Sequence, residues 1–200
     1  MDICAIVVIA CCFTKQNRLC QTTLARLRAA LELMPSTEWK GKPRRLLFVV
    51  TGDVPYQPGR KTLCELMREY LLAAGIPQTT VLMTTGATGS FAEPRLVTGM
   101  LEKLTPNHST LNLVVVVSSD WQLWVGRPFW KRSAEEARFR LNFLPVLNTG
   151  GWRTRAFYTI FAAFIRTMLA LGLWTTVEPF LYRLLYAPRY TKGFRTNGCA

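Results

Sequence analysis

Apolar residues along this chain form short unbroken runs, and between the runs they recur at every third or fourth position. The runs are CAIVVIACCF (4–13), RRLLFVVTG (44–52), TTVLMTT (79–85) and LNLVVVVSS (111–119), with a fifth inside FRLNFLPVLNT (139–149). Their β-branched content predicts strands. A strand that is apolar at successive positions is buried on both faces, as in a parallel sheet covered by helices. The segments TLARLRAALELM (23–34), KTLCELMREYLLAAG (61–75) and FAEPRLVTGMLEKL (91–104) predict amphipathic helices. Gly75, with Pro77 just beyond, stops the second, and Pro94 fits the first turn of the third. No element is assigned to residues 120–138. This alternation predicts a Rossmann-like, doubly wound α/β fold of about five mainly parallel strands over residues 1–150, with a helical extension over 151–200.

In such folds ligands bind outside the C-terminal strand ends, where successive crossovers part to opposite faces. The polar groups at those ends are therefore the candidate pocket. They are Thr51, Gly52 and Asp53 after the second strand, and Ser118, Ser119, Asp120 and Gln122 after the fourth. Thr88 and Ser90, in the Gly-rich stretch TTGATGSFAEP (84–94), extend it. Turn chemistry competes with this reading, because Ser and Asp also start turns, and Ser90 with Glu93 three positions later is a capping box. Asp53, Glu93 and Asp120 are carboxylates that the strand ends could bring together, and Asp53 with Asp120 is the candidate acid–base pair. The stretch GDVPYQPGRKT (52–62) is not a phosphate loop. Six residues separate Gly52 from Gly59, Arg60 precedes Lys61-Thr62, and two prolines remove amide donors.

The tail changes the picture. AFYTIFAAFIRTMLALGLWTTV (156–177) carries a single charge, Arg166, and is long enough to span a bilayer. A central arginine costs about 2.5 to 3.5 kcal/mol on insertion scales, which favours packed helices or surface association over a span. EPFLYRLLYAPRYTKGFR (178–195) then interleaves aromatic and basic residues, as at a membrane interface. The net charge of +13 is skewed the same way. Residues 1–126 hold 13 Lys and Arg against nine acids, and residues 127–200 hold 12 against three. Two partners follow: a small polar or anionic ligand at the strand ends, and an anionic membrane surface meeting residues 152–200. Nucleic acid is not favoured.

The six cysteines show no CxxC pair and no zinc-like spacing, so no metal site is expected, and their placement in apolar runs favours a reducing compartment. His108, the one histidine, lies in a turn-like stretch, which excludes a multi-histidine metal site. MDICAIVVIACCF lacks a basic start and reads as a strand rather than a leader. A cytoplasmic protein, peripheral at the inner membrane, fits these features.

In order, these segments resemble the YdcF-like family, relatives of the SanA and ElyC envelope proteins of bacteria. AIVVIACCF followed by LARLRAALELM is similar to that family's first strand and helix, and LLFVVTGD to its second strand. KTLCELMREYLLAAGIP is the nearest match, and VVVVSSDWQLW is similar to the strand that ends in Thr-Ser before a His. The resemblance covers about residues 4–149. It implies a Rossmann-like domain with its site at these strand ends, a role in cell-envelope biogenesis and, by one branch, S-adenosylmethionine as a ligand.

The chain departs from the family at polar positions. Ser-Gly-Gly becomes Thr51-Gly52-Asp53, and Leu63 replaces the acid near the start of helix two, with Glu65 two residues on. Gly86, Ser90 and Glu93 stand near the usual Ser and Thr-x-x-Asn of the third loop. Gln122 stands where a His is expected and cannot exchange a proton near neutral pH. The expected function is a ligand-binding member of this family. The alternatives are a catalytically inactive protein docked through its basic C-terminal third, and a transferase or hydrolase using Asp53 and Asp120.

Overall fold

The computed structural model describes residues 2–12, 14, 16–34, 44–52, 59–84, 91–104, 111–147 and 151–185. Five strands, β1 (Asp2–Val8), β2 (Arg44–Val50), β3 (Val81–Met83), β4 (Leu111–Ser119) and β5 (Leu141–Val146), form one sheet in the order β3-β2-β1-β4-β5. Every neighbouring pair is parallel. The sheet is the expected Rossmann-like one, and its order reverses between β1 and β4. That reversal is the switch point where a ligand crevice opens in this class of fold.

The unbroken apolar runs follow from two-sided burial. Ala5, Val7 and Ile9 of the first run face one core with Val97, Leu101, Leu123 and Trp130. Ile6, Val8 and Ala10 face the other with Leu27, Leu63, Met67 and Leu71. The first core is built on α3 (Glu93–Leu104) and α4 (Asp120–Glu136), the second on α1 (Gln21–Glu32) and α2 (Leu63–Ala73). Helix α2 opens on a capping box in which Thr62 and Glu65 satisfy each other's backbone amides, and it stops at Gly75 with φ +88°.

Two expectations need correction. The unassigned residues 120–138 form α4, a 17-residue helix that spans Gly126 and Pro128. Those two residues read locally as breakers. Burial of Trp121, Leu123, Val125 and Trp130 outweighs that preference. The 156–177 run is not one helix but parts of two, α5 (Trp152–Ala170) and α6 (Trp174–Leu185), broken at Gly172 with φ +70°. Helix α5 packs on α4 through Tyr158, Phe161, Ala162 and Ile165, around Val125, Phe91 and Trp174. Among the described residues, no helix is long and apolar enough to cross a membrane.

Gly52 ends β2 at φ +108°, and its carbonyl accepts the Cys64 amide at 3.0 Å, joining the strand end to α2. A Cβ here would lie 2.7 Å from Ala10 Cβ and 2.9 Å from Leu63 Cβ. Gly52→Ala therefore adds backbone strain to overpacking, at about 2 to 4 kcal/mol, and the melting temperature falls by roughly 5 to 15 °C. Gly99→Ala, in α3 with nothing within 4 Å of the new methyl, is expected to raise stability by about 0.5 to 1 kcal/mol. Thermal denaturation of both variants checks the contrast.

Candidate functional site

The parallel sheet puts the ends of β1, β2 and β4 on one edge, and a buried arginine sits among them. Arg26 lies on the inward face of α1 with Thr23, Leu27 and Ala30, and no part of it reaches solvent. Its Nη1 donates to the carbonyls of Ile9 at 2.7 Å and Ala10 at 3.0 Å, just past the end of β1. Its Nη2 donates to Ser119 Oγ at 2.8 Å, at the end of β4. One side chain thus spans the two strands on either side of the switch point. The guanidinium also lies 5.8 Å from the Trp121 ring. Burial draws its pKa down, while the nearby Cys11, Cys20 and Glu93 favour the charged form.

Glu93, in the first turn of α3, approaches from the other face of the sheet and is buried. Thr51 joins it to the strands. The Thr51 Oγ accepts the Ala10 amide at 3.3 Å, and its hydroxyl bonds the Glu93 carboxylate. Burial pushes the Glu93 carboxyl up to about 7, against the opposing pull of Thr51 and Arg26. Helix α5 supplies two more groups. Arg155 lies 3.6 Å from Asp120, and the Tyr158 ring rests on Trp121 at 4.3 Å between centroids.

Five buried polar atoms around this edge make no hydrogen bond: Arg26 Nε, Glu93 Oε2, Ser118 Oγ, Asp120 Oδ1 and Arg155 Nε. Leaving such atoms unpaired costs roughly 1 to 3 kcal/mol each, more when charged, so a group of them calls for a polar partner such as an ordered water, an ion or a ligand.

Among the sequence candidates, Thr51, Gly52, Ser118, Ser119 and Asp120 lie on this edge, and Gln122 is half-buried in the first turn of α4. Ser119 is the residue preceding α4, so strand end and helix start coincide there. Asp53, Thr88 and Ser90 lie outside the described residues, as does His108. Arg26 was not anticipated. Its signal was a charged residue at a position between Thr23 and Ala30, on the face that the leucine spacing turns inward.

The thiols were not anticipated as a group either. Cys11, Cys12 and Cys20 bring their sulfurs within 4.8 Å of one another beside Arg26. Cys11 and Cys20 are free thiols. Cys20 caps α1, its Sγ accepting the Thr23 amide at 3.4 Å. A hydrogen bond from the Cys11 thiol, with help from Thr23 and against the cost of burial, holds Cys20 down to about 5. The same bond raises Cys11 well above its ordinary value. With Cys20 and Thr23 filling the start of α1, the first turn has no glycine-lined approach for a pyrophosphate.

A hollow between α3, α4 and α6 is lined by Arg95, Pro128, Phe129 and Trp174. Its volume of about 30 Å³ admits little more than water. Comparison with family models, with curated proteins and with solved structures finds no match for this chain. The class that the fold and site define is a Rossmann-like α/β protein with a charged, partly unsatisfied switch-point edge.

The two shifted groups give opposite pH signatures. Glu93 holds its proton in the folded state up to about pH 7 but releases it near 4.5 when unfolded, so its contribution to stability falls as pH rises through that window. Glu93→Gln removes the effect. The variant is expected to gain on the parent between pH 4.5 and 7, by on the order of 3 kcal/mol, with no further gain above. Cys20 is the reverse case, deprotonated when folded from about pH 5 and when unfolded only near 9. Cys20→Ser should therefore lose ground to the parent as pH rises from 5 to 9. Urea denaturation at unit pH steps separates the two slopes.

Proposed function

We propose that this chain is a YdcF-like binding protein that takes a small polar ligand at the switch point between β1 and β4. One observation carries the reading. A fully buried arginine reaches across both strand ends, with unpaired buried atoms of Arg26, Glu93, Ser118 and Asp120 around it. The donors and acceptors also narrow the ligand. Three of the five Arg26 N–H donors are spent on protein acceptors, which leaves Nε and the second hydrogen of Nη2 for a guest. Glu93 and Asp120 offer carboxylate oxygens, which take hydroxyl, amide or ammonium donors. A compact molecule rich in hydrogen-bond donors, carrying an acceptor group such as a carboxylate for Arg26 and Arg155, suits this edge. Aminoacyl and sugar groups have that character, and so does the amino-acid end of S-adenosylmethionine. The role in bacterial cell-envelope biogenesis rests on the resemblance of residues 4–149 to that family.

A thermal-shift screen of the full chain against S-adenosylmethionine, nucleotide-sugars, nucleotides, lipid phosphates and divalent ions tests the reading. A ligand at about 100 times its dissociation constant adds about 2.7 kcal/mol of stability, which is visible as a shift. Ser118→Ala distinguishes site from scaffold. Removing an unpaired buried hydroxyl leaves the ligand-free protein as stable or slightly more so, while affinity for the responding compound drops about tenfold, one hydrogen bond's worth. A flat screen, or a shift that Ser118→Ala leaves intact, would count against the switch-point site.

A further inference from the structure

Helix α5 is apolar on two sides but buried on one. Its inward side, with Tyr158, Phe161, Ala162 and Ile165, packs into the cluster around Val125 and Phe91. Its outward side carries Trp152, Phe157, Ile160 and Phe164, continued by Leu171 and Leu173 in the turn to α6, and all six are exposed. Trp152 is 75% exposed and Ile160 72%. The spacing 157, 160, 164, 171 is that of one helical stripe. A contiguous apolar stripe of this length facing water marks a surface that something covers.

Charge decides what. Helix α5 has three arginines, Arg153, Arg155 and Arg166, and no acid. Arg153 and Arg166 are exposed, and Arg153 lies 5.5 Å from the Trp152 ring. A second copy placed on this stripe would set arginines against arginines, within a C-terminal third that holds 12 basic residues against three acids. An anionic bilayer offers the opposite. Its phosphates receive the guanidinium groups, and its acyl boundary receives Phe157, Ile160 and Phe164. A tryptophan paired with an arginine at the helix start suits the headgroup level, where such amphipathic side chains settle. No helix among the described residues can cross the membrane, so α5 would lie along it.

We infer that the outward face of α5 and the α5–α6 turn form a docking surface for an anionic membrane. The helix lies in the headgroup plane, with its aromatic and aliphatic stripe in the acyl boundary and Arg153 on lipid phosphates. This surface is distinct from the strand-end edge, and it stands whether or not a ligand binds there.

The test is flotation of the full chain with vesicles of 30% phosphatidylserine in phosphatidylcholine, and with phosphatidylcholine alone. The expected result is binding to the anionic vesicles, at least tenfold weaker binding to neutral ones, and weakening with salt. Ile160→Gln combined with Phe164→Gln should lower the anionic partition coefficient at least tenfold while the protein stays folded at a modestly lower melting temperature, because Ile160 is exposed and Phe164 keeps only a ring contact with Phe161. Arg153→Gln with Arg166→Gln should remove most of the salt dependence and serves as the second variant should the first misfold. A parent protein that ignores both vesicles at low salt overturns the proposal, as does equal binding by parent and variants. Elution as a dimer that the Ile160/Phe164 variant splits into monomers also overturns it, by assigning the stripe to a second copy.

Discussion

The end of this sheet is organised around a buried positive charge. Taking a guanidinium out of water costs several kcal/mol unless its donors are met and its charge is balanced. Arg26 meets that demand with two main-chain carbonyls past β1, the Ser119 hydroxyl past β4, and the negative character of Cys20 and Glu93 nearby. Each partner is then constrained in turn. The β1 chain must run on far enough to present the Ile9 and Ala10 carbonyls, β4 must end on a small hydroxyl, and α3 must begin where a carboxyl can lie close. Of the small polar groups that follow the four valines of β4, Ser119 is therefore required by the guanidinium it faces, beyond any need to turn the chain.

That dependence explains what could and could not be read from sequence. Two-sided burial leaves its mark at every residue of a strand, so β1, β2, β4 and their parallel arrangement were legible in runs such as AIVVIA and LVVVV. The strand ends were legible for the same reason, because Thr51 and Ser118-Ser119 stand where the apolar runs stop. Helix α4 was not, since Gly126 and Pro128 signal a break locally, and only the burial of Trp121 and Trp130 on tertiary partners reverses that signal. Arg26 was hidden differently. An arginine on a helix reads as a solvated face, and its burial depends on acceptors up to 93 positions away in the chain. The grouping of Cys11 with Cys20 likewise comes from the loop that returns α1 to β1, a closeness that residue spacing does not encode.

The thiols and the carboxyl also stand in an ordered electrostatic relation. Cys20 as thiolate and Arg26 as guanidinium are close enough to favour each other's charged forms. The Glu93 carboxyl, raised to about 7, remains the adjustable member. Near neutral pH the edge can thus exchange one proton at Glu93 without disturbing the hydrogen bonds that hold Arg26. A ligand that donates to Glu93 favours the carboxylate, and one that accepts favours the acid. Which ligand binds and which proton state prevails are two sides of one equilibrium.

Helix α5 connects that edge to the outer surface. From its inward side Arg155 approaches Asp120 and Tyr158 lies on Trp121, the ring that also faces Arg26. Its outward side exposes the stripe from Trp152 to Phe164. A helix of this composition reads as a marginal membrane span because hydropathy averages both faces, and the fold separates them. One face completes the core beside α4, and the other is exposed to solvent. The arginine that makes spanning costly, Arg166, is exposed on the same helix. There a long cationic side chain lies beside apolar neighbours at no desolvation cost and binds phosphate where phosphate is present.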